Sequence, residues 1–535
     1  MTQEPTASTA HRSTAGPAPA AVPWERLEHH YGTAEDVPAL LLAALYARWR
    51  AEPEERVRIR LVEAAGQLLR HVPGEWPAEV VDWLGGLPGH PDAAQSLAGV
   101  LALRRCGLGG HDTRQVDGAI AHLSSGDRRA RAALWREDEP WKLIRRTSEV
   151  FGEDRDGRTR LIAGLLERDA DAVQAAAEVV ARRRSPLAVL LAPVARRLSD
   201  PCAQTRRMAA AVLASAGARS APWADELAAA CADEDPPVGP NALHALVRIG
   251  DPRAVELVAE RLERPSHRLA AAVRHDHWWY RPSLSDVLGP LHARADRLLP
   301  LLRARLRTSP NPYEPAALLG VLAGWGHAAR DAEPEIVALL GTSARAQALD
   351  ALLALDTAGA REVALPVARA AAERGEHGAA YRLWRLTGDP ATAPDDPATT
   401  AALGPAAAGR EPALRSRWER GRFGWERVEV AYALWRITGD PADAEQTARA
   451  ARIALGEDPR IGGHALRCLR LLPALGAAAA PAVPALHPLL STDLRPVLSA
   501  GWAAIPDDDA LCATVREVLA AAGAADRWAS GAGAA

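Results

Sequence analysis

Reaction chemistry needs reactive side chains held at a fixed spacing, and few stretches of this 535-residue chain offer them. One is Arg274-His275-Asp276-His277-Trp278-Trp279-Tyr280-Arg281-Pro282. His275 and His277 flank an aspartate and could ligate a metal, but that spacing in a loop supplies at most two ligands, and a polar loop facing water accounts for them. Trp278, Trp279 and Tyr280 are candidate interaction residues, since Trp and Tyr concentrate at the centres of protein interfaces; the competing reading has them sealing an irregular join. A second candidate is basic. Arg182, Arg183, Arg184, Arg196, Arg197, Arg206 and Arg207 crowd one region, opposed locally only by Asp200. Stacked helix ends could align them into a ridge for an acidic partner or phosphates. Solvated helix C-termini, where the dipole favours Arg, explain them as well. Asp225, Glu226, Asp233, Glu234 and Asp235 follow closely and would weaken the field.

Enzymatic signatures are missing. A phosphate-binding Gly-Lys-Ser/Thr loop is excluded because the one lysine, Lys142, follows Trp141. There is no His-Glu-x-x-His, no Gly-x-Ser-x-Gly and no His-Glu dipeptide. No catalytic residue, metal-ligand set or cofactor is assigned. The five cysteines, Cys106, Cys202, Cys231, Cys468 and Cys512, form no Cys-x-x-Cys pair, which suits thiols in a reducing compartment and a cytoplasmic location. No run of 18 apolar residues is free of proline and charge, so no membrane span is expected.

The balance of 64 basic against 67 acidic side chains lacks the one-signed field of a protein that holds a polyanion. Hydrophobic residues reach 48% but aromatics only 4%. Alanine-rich helices that approach closely fit that balance. The abundance of Arg, Ala, Gly and Pro resembles a GC-rich bacterial genome, so arginine number alone says little.

The elements that must position all of this are announced by a phrase that occurs twice. Ala379-Ala380-Tyr381-Arg382-Leu383-Trp384-Arg385-Leu386-Thr387-Gly388-Asp389-Pro390 returns 51 residues on as Val430-Ala431-Tyr432-Ala433-Leu434-Trp435-Arg436-Ile437-Thr438-Gly439-Asp440-Pro441, and more loosely as Asn241–Pro252. Gly closes one helix in the left-handed region, Asp caps the next, and Pro suits its first turn. Helical hairpins are predicted at 173–184 with 187–198, 205–216 with 222–231, and 241–249 with 252–262. Ala177, Ala210 and Ala242 mark equivalent points 33 and 32 residues apart. Trp384 and Trp435, with Tyr381 and Tyr432 one turn earlier, are expected to pack between units.

This pattern resembles HEAT repeats, of the short bacterial kind also met in phycobilin lyase-like proteins. Such repeats carry an Asp in the turn between units and an Arg six residues on, and Asp200 and Arg206 match. Asp235 with Asn241 and Asp493 with Ser499 depart from it. The implied fold is all-α, an α-α superhelix of antiparallel helix pairs. We expect a disordered leader over 1–22, a solenoid over 23–522 that is irregular at 265–290, a loop insertion at about 394–410, and a frayed tail over 523–535.

A solenoid exposes a long concave surface per residue. The expected function is therefore a non-enzymatic scaffold or regulator that grips another protein, with no membrane partner. By resemblance, a second reading is a DNA-binding protein of the alkylpurine glycosylase type, with the basic cluster and Trp223 or Trp278 and Trp279 lining its concavity. The balanced charge counts against nucleic acid. A third and weaker reading is a bilin lyase-like protein, by fold analogy alone.

Overall fold

The repeated phrase folds as its residue types dictate. Gly388 and Gly439 adopt φ of 68° and 70° just past helices Ala379–Thr387 and Trp425–Thr438. Gly250 adopts φ of 81° after Val238–Ile249. Each following aspartate accepts a backbone N–H: Asp389 from Ala391 at 2.9 Å, Asp440 from Ala442 at 2.8 Å, and Asp251 from Arg253 at 2.9 Å. The copies then diverge. Pro441 opens a helix of 17 residues, whereas Pro390 opens only the 3-10 turn Pro390–Thr392.

The computed structural model describes residues 37–523 except 72–75, 109–112, 153, 236, 265–281, 310, 312, 422–423 and 500. The expected leader over 1–22, the tail beyond 523, and His275, His277, Trp278, Trp279 and Tyr280 lie outside the described residues. The described residues are helical throughout, with two isolated β-bridges and no strand. The fold is an all-α stack of antiparallel helices. Where the sequence predicts a single array over 23–522, the chain divides into two compact units, Met1–Ser125 and Gly126–Ala535.

The first unit holds α1 (Val37–Ala51), α2 (Glu55–His71), α3 (Ala78–Gly86), α4 (Ala93–Arg105) and α5 (Thr113–Ser124). Small residues allow close approach, as the composition predicts. A Cβ on Gly66 of α2 would stand 2.7 Å from the Ala102 Cα of α4. Tyr46, Trp49 and Trp83 close the other side, with ring centroids 5.2 to 5.4 Å from Trp83, and the Trp49 indole donates to Gln95 at 3.0 Å.

The second unit begins with α6 (Arg128–Leu134), α7 (Pro140–Val150), α8 (Arg155–Leu166), α9 (Ala172–Arg182), α10 (Leu187–Arg196), α11 (Ala203–Ala216), α12 (Ala224–Ala230), α13 (Val238–Ile249) and α14 (Arg253–Glu263). It continues through α15 (Leu284–Leu288), α16 (Ala295–Thr308), α17 (Glu314–Trp325), α18 (Glu333–Ala338), α19 (Arg345–Leu355), α20 (Ala358–Glu373) and α21 (Ala379–Thr387). Then come α22 (Pro397–Leu403), α23 (Glu411–Arg420), α24 (Trp425–Thr438), α25 (Pro441–Glu457), α26 (Gly463–Leu469), α27 (Val483–Ser491) and α28 (Ala504–Ala521). One row runs α7, α9, α11, α13, α15, α17, α19, each helix packed on the next. Ala177, Ala210 and Ala242, the predicted equivalent points, are each fully buried in it.

The row returns to its beginning. Helix α28 packs on α9 and α11 as well as on its chain neighbours. The strap before it is held on both sides: Arg184 N–H donates to the Asp493 carbonyl at 2.9 Å, and Arg495 N–H to Arg182 at 2.8 Å. Further along, Ile461 N–H donates to Pro496 at 2.7 Å, and Leu498 N–H donates back to Ile461 at 2.9 Å. Part of this helix row is thus covered by α28.

The expected loop at 394–410 is corrected to helix. Asp396 accepts from Thr399 N–H at 2.8 Å and from its hydroxyl at 2.7 Å, Pro397 takes the first turn, and α22 runs on into a 3-10 helix, Gly404–Arg410. Arg410 ties the entry by donating to the Pro394 and Ala393 carbonyls at 2.7 and 2.9 Å. The Asp-Pro pair read as loop composition is a helix start. The paired aromatics differ from expectation too. Tyr432 is buried, while Tyr381 is exposed and meets Trp384 edge-on, with the Arg385 guanidinium over its ring. The stretch Leu472–Ser491 has the length and mean hydropathy, 1.3, of a membrane span. It is interrupted by four prolines and packs on α25 and α28.

Candidate functional site

The structure gives each of the seven arginines of the basic cluster a carboxylate, Arg184 that of Asp508 at 2.6 Å. Arg182 meets Glu149 at 3.1 Å and Arg183 meets Asp493 at 3.2 Å. Arg196 pairs with Glu167, and Arg197 bonds Asp200 at 2.8 Å. Arg206 is bidentate to Asp233 at 2.7 and 2.9 Å, and Arg207 bonds Asp235 at 2.6 Å. The acidic run downstream thus neutralises Arg206 and Arg207, and carboxylates from elsewhere in the chain neutralise the others. Several of these pairs join one hairpin to the next and tie the stack together. The two exposed pairs, Arg182 with Glu149 and Arg196 with Glu167, contribute about 0–1 kcal/mol each.

What remains open is a cleft of about 500 Å³ in the second unit, where α7, α9 and α11 begin. Asp138, Glu139, Trp141 and Lys142 form one wall, Asp171, Gln174 and Glu178 the floor, and Cys202, Gln204 and Met208 the other wall. Three helix N-termini meet here, and two of their N-cap residues, Glu139 and Asp171, make no side-chain cap. Two of the acids are already engaged. Asp138 holds Lys142 at 2.6 Å, and Asp171 holds Arg128 at 2.9 Å, which also bonds Asp169 at 2.8 Å.

Glu178 differs. Its residue is only 7% exposed, and its side chain makes no hydrogen bond or ion pair among the described residues. Burial pushes its carboxyl above the usual range, against the pull of Arg182 and Arg145. Asp171 is raised as well, by burial first and then by Asp169 and Glu139. Cys202 goes the other way. The Thr205 N–H, one turn into α11, holds its exposed thiol below the ordinary value. None of the lining residues is a histidine, so the thiol has no imidazole base beside it. The arrangement can bind a ligand through its carboxylates. A larger groove of about 560 Å³ in the first unit is lined by Leu41, Leu45, Leu61 and Leu68 and offers almost no polar group to orient a ligand.

Sequence reasoning missed Glu178, and a signal was there. It stands in Ala-Val-Gln-Ala-Ala-Ala-Glu-Val-Val-Ala-Arg, where Gln174 and Glu178 are one turn apart on an otherwise apolar helix. The basic cluster drew attention to the other end of the same helix.

The profile of the HEAT repeats family matches residues 191–275, which span α11 to α14. Within that span, Asp200 and Arg206 show what that motif does here. Asp200 caps the turn by accepting Cys202 N–H at 2.9 Å, and Arg206 reaches back to the Asp200 carbonyl at 2.9 Å while gripping Asp233 of the next repeat. Solved structures with similar stacking include Kap121p bound to Pho4p, 11% identical with a TM-score of 0.40, over 94% of this chain and 72% of that one. Kap121p alone is 12% identical with a TM-score of 0.36, over 94% and 63%. Kap121p bound to RanGTP is 11% identical with a TM-score of 0.35, over 94% and 60%. No curated protein matches the chain.

Proposed function

We propose that this HEAT-repeat chain is a non-enzymatic scaffold that binds another protein, and that the α7/α9/α11 cleft receives a basic side chain of that partner. The observation that carries the reading is Glu178, a residue only 7% exposed that lines the open cleft and whose carboxylate makes no hydrogen bond or ion pair among the described residues. Partial burial disfavours the ionised carboxylate, and the charges of Arg182 and Arg145 offset this only in part. A guanidinium entering the cleft supplies a direct partner and keeps the carboxylate ionised. Arginine suits the site better than lysine, because its planar fork bonds both oxygens at once. Exposed Glu139 at the rim adds a second acid without an ion pair among the described residues. A cytoplasmic location goes with five cysteines that are all free thiols.

The test uses a heptapeptide library with a fixed central arginine, and its citrulline counterpart, binding to the full chain and to Glu178→Gln. The expected result is arginine-dependent binding that weakens about tenfold in the variant, equivalent to about 1.4 kcal/mol. Citrulline peptides should bind weakly and equally to both. Equal affinity of arginine peptides for wild type and variant would overturn the reading.

A further inference from the structure

Outside that cleft, three donors of three different kinds meet on the C-terminal part of the second unit. His464 and Cys468 lie one turn apart on α26, so both side chains leave the same face of the helix. Glu429 reaches them from α24, one repeat earlier. The His464 Nε2 stands 3.0 Å from the Glu429 Oε1, and the imidazole nitrogen, the Cys468 Sγ and a carboxylate oxygen all lie within 4.8 Å of one another. Cys468 is wholly buried, Glu429 mostly so, and His464 is nearly half exposed. Among the described residues, the hydrogen bond of the three to anything outside the triad is a weak one, from the thiol to the Trp425 carbonyl at 3.6 Å.

We propose that Glu429, His464 and Cys468 form a binding site for a zinc-type divalent ion, with three protein ligands and a fourth position open to solvent on the His464 side. Zinc takes sulfur at about 2.3 Å and nitrogen or oxygen at about 2.0–2.2 Å in tetrahedral geometry, which sets donors about 3.3–3.8 Å apart. The His464–Glu429 edge, at 3.0 Å, would open slightly and the edges to Cys468 would close by up to about an ångström to meet this. The donor set also discriminates. One thiolate and one imidazole favour zinc or cobalt over magnesium and calcium, which select oxygen-only sites. Binding is balanced simply: the thiol proton leaves to solvent as sulfur takes the metal, one proton per ion, while imidazole and carboxylate bind through lone pairs. The ion would join α24 to α26 and so lock two successive repeats.

The site escaped the sequence because its ligands follow no metal motif. The His-x-x-x-Cys pair is short and unremarked, and its carboxylate comes from the preceding hairpin.

The probe is cobalt(II), titrated into the full chain and read by the thiolate-to-cobalt charge-transfer band, with zinc as competitor and released protons counted in weak buffer. We expect one equivalent, one proton released, and displacement by zinc. Cys468→Ser should abolish the band. His464→Ala, at a half-exposed position that tolerates change, should weaken binding at least about tenfold while the far-UV dichroism stays that of wild type. Cys202→Ala should leave the titration unchanged. Absence of the band in wild type, or its persistence at full affinity in His464→Ala, would overturn the proposal. So would its loss in Cys202→Ala.

Discussion

At the scale of single residues, the same helical phrase places different side chains in different surroundings. His244, in the looser copy, is 1% exposed, and burial first, then the Arg248 charge, lower its pKa to about 3. In the corresponding place of another copy, Arg382 lies near the surface and is bidentate to Asp350 at 2.7 and 2.9 Å. A histidine that stays neutral when folded, and titrates near 6.5 when unfolded, makes the unfolded chain bind more protons below 6.5. Its contribution is therefore whole above that pH and is lost as pH falls from about 6.5 towards about 3, by at most about 1.4 kcal/mol per pH unit. His244→Leu should flatten this part of the stability curve, measured as denaturant midpoints of both proteins between pH 7 and pH 4. Parallel curves would mean that His244 does not carry the acid sensitivity. Residue type alone could not distinguish His244 from Arg382. The periodicity that located both is a property of the helix, and burial is decided by what the neighbouring hairpins bring.

At the scale of elements, hairpins were legible wherever a helix is long enough to show its period. Val238–Ile249 and its capped turn follow from residues 241–252 almost position by position. Helix α22 was not legible, for a physical reason: seven residues make barely two turns, too few for an apolar stripe to stand out against Pro, Asp and Thr. What fixes α22 is its cap. Asp396 bonds both the N–H and the hydroxyl of Thr399, and Thr400 behind it is wholly buried. Asp396→Ala should cost about 1 kcal/mol, the usual worth of such a cap. Because α22 packs on α24 rather than nucleating it, the loss should stay local. Hydrogen exchange over 397–403 should quicken about fivefold, while exchange in α24 keeps its rate. Equal acceleration in both helices would show that the two open as one.

At the scale of the whole second unit, its most consequential feature joins residues some 300 positions apart, which no local pattern announces. Asp493 and Asp508 are both nearly buried. Asp493 takes Arg158 at 2.8 Å, Arg183 at 3.2 Å and Ser185 N–H at 2.9 Å. Burial alone would raise its carboxyl, and the Ser185 and arginine contacts reverse that and hold it at about 2. Asp508 takes Arg184 through both oxygens at 2.8 and 2.6 Å and pairs also with Arg495, whose Nε reaches the Val180 carbonyl at 3.0 Å. Arg183 and Arg184, read in the sequence as part of a surface ridge, are therefore fasteners between the start and the end of the array. Two arginines on one buried carboxylate make Asp508 the sensitive point. Removing its charge leaves both guanidinium groups short of a counter-ion, and breaking a buried pair in this way costs about 3–5 kcal/mol. Asp508→Asn should release α28 and the strap over 493–498, seen as faster hydrogen exchange there and at 180–185, with α16 to α20 unchanged. Asp509→Asn is the control. Its bidentate pair with Arg219 is exposed, so its loss should barely register. If Asp508→Asn exchanged like wild type, the seam would be held by the apolar contacts of α28 alone, and the ion pairs would have no part in keeping the two ends together.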